Sequence, residues 1–200
     1  MSKLETNTID TVSGTSTLQV GSTNTSTITL GVSGDTINVP SGVTINNNGT
    51  QTGFGGTNTP AFFAYDTSAQ SLSDNVDTKA DLATEVLDTD GNFASNRFTP
   101  TTAGKYFLFG KTVAGASTYN KNRNSGVSIH KNGSQINYTE TFFTPYGNTT
   151  GGTTIAPFIS AIIDMNGSSD YVELYVQVNS LDGSNISCEK TVFGGYRIIT

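Results

Sequence analysis

Two hundred residues carry 16 Asp and Glu against 10 Lys and Arg, a net charge of −6. That sign disfavours nucleic acid and anionic membrane as main partners, because both are held by clustered Lys and Arg. The single cysteine excludes an intrachain disulfide framework, and no apolar run reaches the roughly 18 residues that membrane insertion of a helix needs.

Few charges and many Thr, Val and Ile point to an all-β chain rather than disorder, which would need high charge and little apolar content. The opening MSKLETNTID lacks the apolar core of a secretory signal, so synthesis in a reducing cytoplasm is expected. The first elements are TLQV (17–20), TITL (27–30), TINV (36–39) and VTIN (43–46), with Gly, Ser or Pro between them. Each alternates aliphatic and polar positions, the pattern of a short strand with one apolar face. A short repeat of such strands suggests a β-solenoid or fibrous shaft. Residues 1–57 hold one aromatic, Phe54, and the charges Lys3, Glu5, Asp10 and Asp35. So thin a ribbon cannot offset its own ordering entropy by burial within one chain. Strands from identical chains would cover both its edges and its apolar face. The alternative is a flexible Thr/Ser linker, and the regular aliphatics argue against it.

The Gly/Asn-rich junction NNNGTQTGFGGTNTP (46–60) marks a change of composition. Residues 1–57 are therefore expected to form an N-terminal attachment segment and β-strand shaft, and 58–200 a compact domain. Strand patterns follow at FFAY (62–65), FLFGKTVAG (107–115), GVSIHK (126–131), IAPFISAIIDM (155–165), YVELYVQV (171–178) and TVFGGYRIIT (191–200). The turns KNGS (131–134), NGSSD (166–170) and LDGSN (181–185) carry the Asn-Gly and Asp-Gly pairs of tight hairpins. DTKADLATEVLD (77–88) fits a helix by spacing and a strand by alternation; its second half is read as strand, in keeping with its surroundings. Many short antiparallel strands over about 140 residues imply a sandwich.

NRFTPTTAGKYFLFG (96–110) resembles the hallmark of the C1q/TNF-like jelly roll, a Phe-Thr-Pro strand, a Gly turn, then Tyr-x-Phe. VSIHKNGSQI (127–136), NGSSDYVELYVQV (166–178) and FGGYRI (193–198) follow in that family's order, so the likeness covers residues 61–200. It implies a ten-stranded jelly-roll sandwich assembled as a tight homotrimer, with Phe63, Tyr65, Tyr106, Phe109, Tyr175, Phe193 and Tyr196 as candidates for the trimer core. No collagen-like Gly-X-Y stalk precedes it. The segment TITLGVSGDTINVPSG (27–42) is instead similar to short shafts of bacteriophage virion proteins, which implies an intertwined trimeric β shaft.

If the first and last strands of the domain pair antiparallel, as in that family, the loops 116–125, 144–153 and 179–187 fall at the end away from the shaft. Tyr119, Asn120, Asn122, Arg123, Tyr146, Asn148 and Asn185 are the receptor-binding candidates there, since aromatic faces beside amides and a guanidinium suit sugar or protein epitopes. Catalysis is not expected. The lone His130 reads as a surface or interface residue, and no nucleotide-binding or nucleophile motif is present. DTDGN (88–92) reads as a β-turn rather than a calcium loop, because the downstream ligands are missing. Asp182 is a weak calcium candidate by resemblance, and Cys188 reads as a packed thiol. These readings converge on a homotrimeric virion protein: a short tail fibre or spike whose knob binds a host glycan or protein. The alternative is a capsid decoration anchored to other virion proteins through its N-terminus.

Overall fold

The computed structural model describes residues 18, 20, 21, 23–49, 58–115, 122–144 and 154–198. Contacts divide the chain into two units, Met1–Thr52 and Gly53–Thr200.

Within the first unit, turns recur at 23–24, 33–34 and 41–42. The second closes through Asp35 N–H to the Val32 carbonyl at 3.0 Å, while the Asp35 carboxylate accepts from Val32 N–H at 2.8 Å. The third closes through Val43 N–H to the Pro40 carbonyl at 3.2 Å. The expected strands between these turns are not formed: no described residue of 18–49 lies in a ladder, and Leu18, Val20, Ile28, Leu30, Val32, Ile37, Val39, Val43 and Ile45 are all exposed. The turn chemistry is local and forms in one chain; a ladder needs a second strand, which the lone ribbon does not supply.

The second unit is all-β, with thirteen strands among the described residues where ten were expected. They are β1 (Ala61–Asp66), β2 (Gln70–Leu72), β3 (Thr78–Lys79), β4 (Thr84–Asp88), β5 (Phe93–Ala94), β6 (Arg97–Phe98), β7 (Gly104–Gly115), β8 (Asn122–Lys131), β9 (Ser134–Phe143), β10 (Thr154–Ile155), β11 (Phe158–Met165), β12 (Val172–Ser180) and β13 (Ile186–Arg197). Most of the surplus is in pieces of two or three residues, such as β3, β5 and β6. One sheet runs β10-β7-β13-β1-β4, with β11 also on β7 and β2 on β13; the other runs β5-β6-β12-β8-β9, with β3 on β12.

Alternation along the long strands builds the core between these sheets. β7 turns Tyr106, Leu108 and Ala114 inward, and β12 turns Val172, Leu174, Val176 and Val178 inward, all fully buried. In β13 a bulge between Glu189 and Val192, with Lys190 at φ 53°, shifts the inward set from Ile186 and Cys188 to Thr191 and Phe193. At the centre Phe62 stacks on Phe98 with centroids 4.2 Å apart and meets Phe193 edge-on at 5.0 Å.

The KNGS turn joins β8 to β9 with Asn132 and Gly133 at φ 54° and 79°, the left-handed pair a type I′ hairpin requires. In the next turn the Asn166 side chain accepts from the backbone N–H groups of Ser168, Ser169 and Asp170. Asp170 in turn binds Lys131 and Asn132, and these bonds hold its carboxyl below its ordinary pKa. Gly167 sits here at φ 70°, where a Cβ would lie 2.2 Å from the Ala103 backbone nitrogen. Gly167→Ala therefore faces both left-handed strain and a backbone clash, and is expected to cost about 1–3 kcal/mol in urea unfolding. A loss below about 0.5 kcal/mol would mean that the turn relaxes freely.

Candidate functional site

Two surfaces of the second unit carry chemistry. The first is the outer face of the β7-containing sheet. Ladder register sets three rows across it: Ala61, Tyr196, Phe107 and Ile162; then Leu87, Phe63, Gly194, Phe109 and Ser160; then Thr84, Tyr65, Val192, Lys111 and Phe158. Gly194 makes room in the middle row, since a Cβ there would come within 2.7 Å of the Phe109 ring and 3.0 Å of the Phe63 ring. The rings form a chain, Phe63 to Phe109 at 6.2 Å, Phe109 to Phe107 at 6.2 Å, and Phe107 to Tyr196 at 5.6 Å. Phe158, Ile162, Leu87 and Tyr196 are each 40% or more exposed. So continuous an apolar face is uncommon on a protein that works alone.

Four of the seven aromatics expected at a trimer core, Phe63, Tyr65, Phe109 and Tyr196, share this face. The other three do not. Tyr106 and Phe193 are fully buried between the sheets, where Tyr106 donates its hydroxyl to the Thr102 carbonyl at 2.7 Å. Tyr175 lies on the outer face of the other sheet, stacked on His130 at 3.8 Å. Period two sorts a strand into two faces without saying which of them meets the opposite sheet.

The second surface is the end of the sandwich where Gly115 pairs with Ser187 and Thr154, Asn122 with Ser180, and Ser125 with Phe143. The three loops proposed for recognition all leave from this end, opposite the paired start of β1 and end of β13. Tyr119, Asn120, Tyr146 and Asn148 lie outside the described residues. Arg123 is exposed, and Asn185 is exposed with its amide donating to Ser71 Oγ at 3.3 Å. Asn122 is corrected: it is fully buried, donating to the Ala114 carbonyl at 3.2 Å and accepting from Ser125 Oγ at 3.0 Å. It ties β8 to β7 and is closed to a ligand. Sequence reasoning passed over β9, whose Tyr138, Phe142 and Phe143 are exposed along a sheet edge that reaches this end.

Asp182 accepts from the Ser184 N–H at 3.1 Å and from its hydroxyl at 2.5 Å, so its carboxylate serves its own turn. Asp88 does likewise, accepting from the N–H groups of Asn92 and Phe93 at 2.9 and 2.8 Å. Among the described residues no three His, Cys, Asp or Glu side chains gather into a metal site. Cys188 is fully buried, and burial pushes its thiol pKa up, away from nucleophilic use.

His130, expected at the surface or an interface, is buried within one copy. It is 7% exposed, and among the described residues neither ring nitrogen has a hydrogen-bond partner. Burial lowers its pKa below 6.5, partly offset by Asp77, Glu173 and Glu140. The folded protein therefore resists a proton that the unfolded chain binds, and stability from this group is complete above about pH 6.5 and fades as pH falls. His130→Phe is expected to flatten the decline in melting temperature between pH 7 and pH 5. An unchanged slope would assign that decline to other groups.

No protein-family model matches the chain, and no curated protein matches it. Among solved structures it is similar to Eiger TNF from S. frugiperda, at 10% identity and a TM-score of 0.51, over 69% of this chain and 91% of that one. Murine APRIL is also similar, at 10% identity and a TM-score of 0.48, over 69% of this chain and 98% of that one. The likeness to Eiger is one of fold: the two antiparallel sheets of this protein form a TNF-like jelly-roll sandwich.

Proposed function

We propose that this protein is a homotrimeric structural component of a tailed-phage virion, a short fibre or spike whose C-terminal knob binds the host surface without catalysis. The observation that carries the reading is the outer aromatic face of Phe63, Phe107, Phe109 and Tyr196, which a single copy leaves partly in water. Two further copies are its natural cover, since the exposed aliphatics of residues 18–45 also need neighbours and identical chains supply both. The shaft's likeness to virion proteins supplies the setting, with the N-terminal residues docking on other virion proteins. The loops at the end opposite the paired β1 start and β13 end, with Arg123 and Asn185 exposed there, are the surface for a host glycan or protein.

The test is twofold. Sedimentation of the full chain should give three times the subunit mass of 21.0 kDa at micromolar concentration. Purified protein should also compete with phage for adsorption to host cells. A monomer removes the trimer; a trimer that does not compete removes the host-binding role. The second reading is an outward-facing capsid decoration anchored by its N-terminus. Copy number in the particle separates the two: a few trimers for a fibre, hundreds of chains for a decoration.

A further inference from the structure

The sheet that lacks the aromatic face carries a charged cluster that none of the above uses. Along β12 the core side chains Val172 and Leu174 alternate with Glu173, which therefore points off the outer surface, yet its side chain is only 3% exposed. Two cations cover it. Lys79 Nζ lies 3.2 Å from Glu173 Oε1, and Arg97 reaches the same oxygen with Nε at 3.0 Å and Nη2 at 3.0 Å. One carboxylate thus faces two positive charges, leaving a surplus of one. Among the described residues neither cation has another acidic partner within ion-pair distance.

Both cations are held in place yet reachable. The Arg97 guanidinium lies over the Tyr171 ring, 3.7 Å from its centroid, which fixes the plane of the fork. Lys79 Nζ also donates to the Ser95 carbonyl at 3.1 Å. Ser95 and its neighbour Asn96 make the β5–β6 turn at φ 54° and 60°, a left-handed conformation that serine adopts at a cost. Asn96 anchors that turn by accepting from Leu82 N–H at 3.0 Å. The side chains of Lys79 and Arg97 remain 34% and 41% exposed. They open onto a hollow of about 440 Å³ whose walls include Ala94, Ser95, Thr99 and Thr101. That volume falls within the roughly 300–1,000 Å³ of small-molecule sites. A buried ion triad is a weak source of stability compared with apolar packing, and the part-exposed Lys79 and Arg97 that line the hollow leave room beside them for an anion to enter.

We propose that this hollow is an anion-binding site for an acidic saccharide, with a carboxylate or phosphate bridging Arg97 and Lys79 and sugar hydroxyls meeting Thr99 and Thr101. A planar guanidinium pairs such an oxyanion through parallel N–H bonds, and the ammonium adds a point charge beside it. The site lies within a single knob, so it holds whether the molecule is a tip, a decoration or neither.

The test is amide NMR titration of the full-length protein with D-glucuronate and with inorganic phosphate, using D-glucose as the neutral control. Either anion should shift resonances at 79 and 91–101 with millimolar affinity, and raising the salt should weaken it. A stronger response to glucuronate assigns a uronic acid, and a stronger response to phosphate assigns a phosphorylated sugar. Arg97→Gln should weaken binding at least tenfold. Because that change also thins the cover over Glu173, Thr101→Trp is the second variant: it crowds the hollow from an exposed wall position that pairs with none of the three charged residues, and should abolish the shifts while the protein stays folded. No localised shift with either anion, an equal response to glucose, or unaltered binding by both variants would overturn the assignment.

Discussion

Phe109→Asp should leave each knob folded and abolish its assembly, whereas Tyr106→Asp should abolish folding itself. The two residues are three positions apart on β7 and face opposite ways. Phe109 belongs to the outer aromatic face, with Phe63 and Phe107 each 6.2 Å away. Removing such a ring from a contact forfeits about 1.5–3 kcal/mol of burial. A trimer repeats the loss at three positions, for a total of about 4–9 kcal/mol, and three like charges brought together add repulsion. At about 1.4 kcal/mol per tenfold, dissociation should strengthen by a thousandfold or more. Sedimentation should then report a 21.0 kDa species that still melts cooperatively. Tyr106 is fully buried, so an aspartate there would be an unpaired charge between the sheets, at a cost of several kcal/mol against a total stability of about 5–15. A trimer that survives Phe109→Asp would show that the contact lies elsewhere on the knob.

The largest loss of stability with a modest change of chemistry is expected at Phe62. Its ring is 2% exposed and meets Phe98 at 4.2 Å, Phe193 at 5.0 Å and Phe93 at 5.2 Å. Those partners come from β6, β13 and β5, so Phe62 joins both sheets. Phe62→Ala leaves a cavity that three other rings cannot close, at a cost of about 3–5 kcal/mol. Denaturant unfolding is the measurement. It should be made on the Phe109→Asp background at one protein concentration, because association otherwise adds to apparent stability. A loss under about 1 kcal/mol would mean that the aromatic cluster repacks, contrary to its close ring geometry.

What could be read from the chain alone was whatever depends on neighbours in sequence. Alternation located β7, β11, β12 and the end of β13. The Asn-Gly pair at 132–133 specified the turn between β8 and β9, because only residues tolerant of positive φ close it. The second half of 77–88 is strand, β4, as its β surroundings suggested where spacing and alternation disagreed. β9 went unmarked because polar residues occupy positions that a buried strand would fill with apolar ones; as the edge of its sheet it leaves Tyr138 and Phe143 in water.

Tertiary structure decided everything that depends on which surfaces meet. Tyr106 and Phe109 look alike in sequence, and only the stacking of the second sheet made one interior and the other exterior. The bulge at Glu189–Val192 changed the parity of β13 without a sequence signal strong enough to place it. Asn122 appeared to be a loop residue until the pairing of β8 with β12 buried it. Lys79, Arg97 and Glu173, separated by up to 94 positions, converge only because β3 and β6 both pair with β12. Backbone geometry and turn chemistry act over a few residues and are written locally. Burial and charge clustering are properties of distant segments brought together, and they exist only once the two sheets have closed.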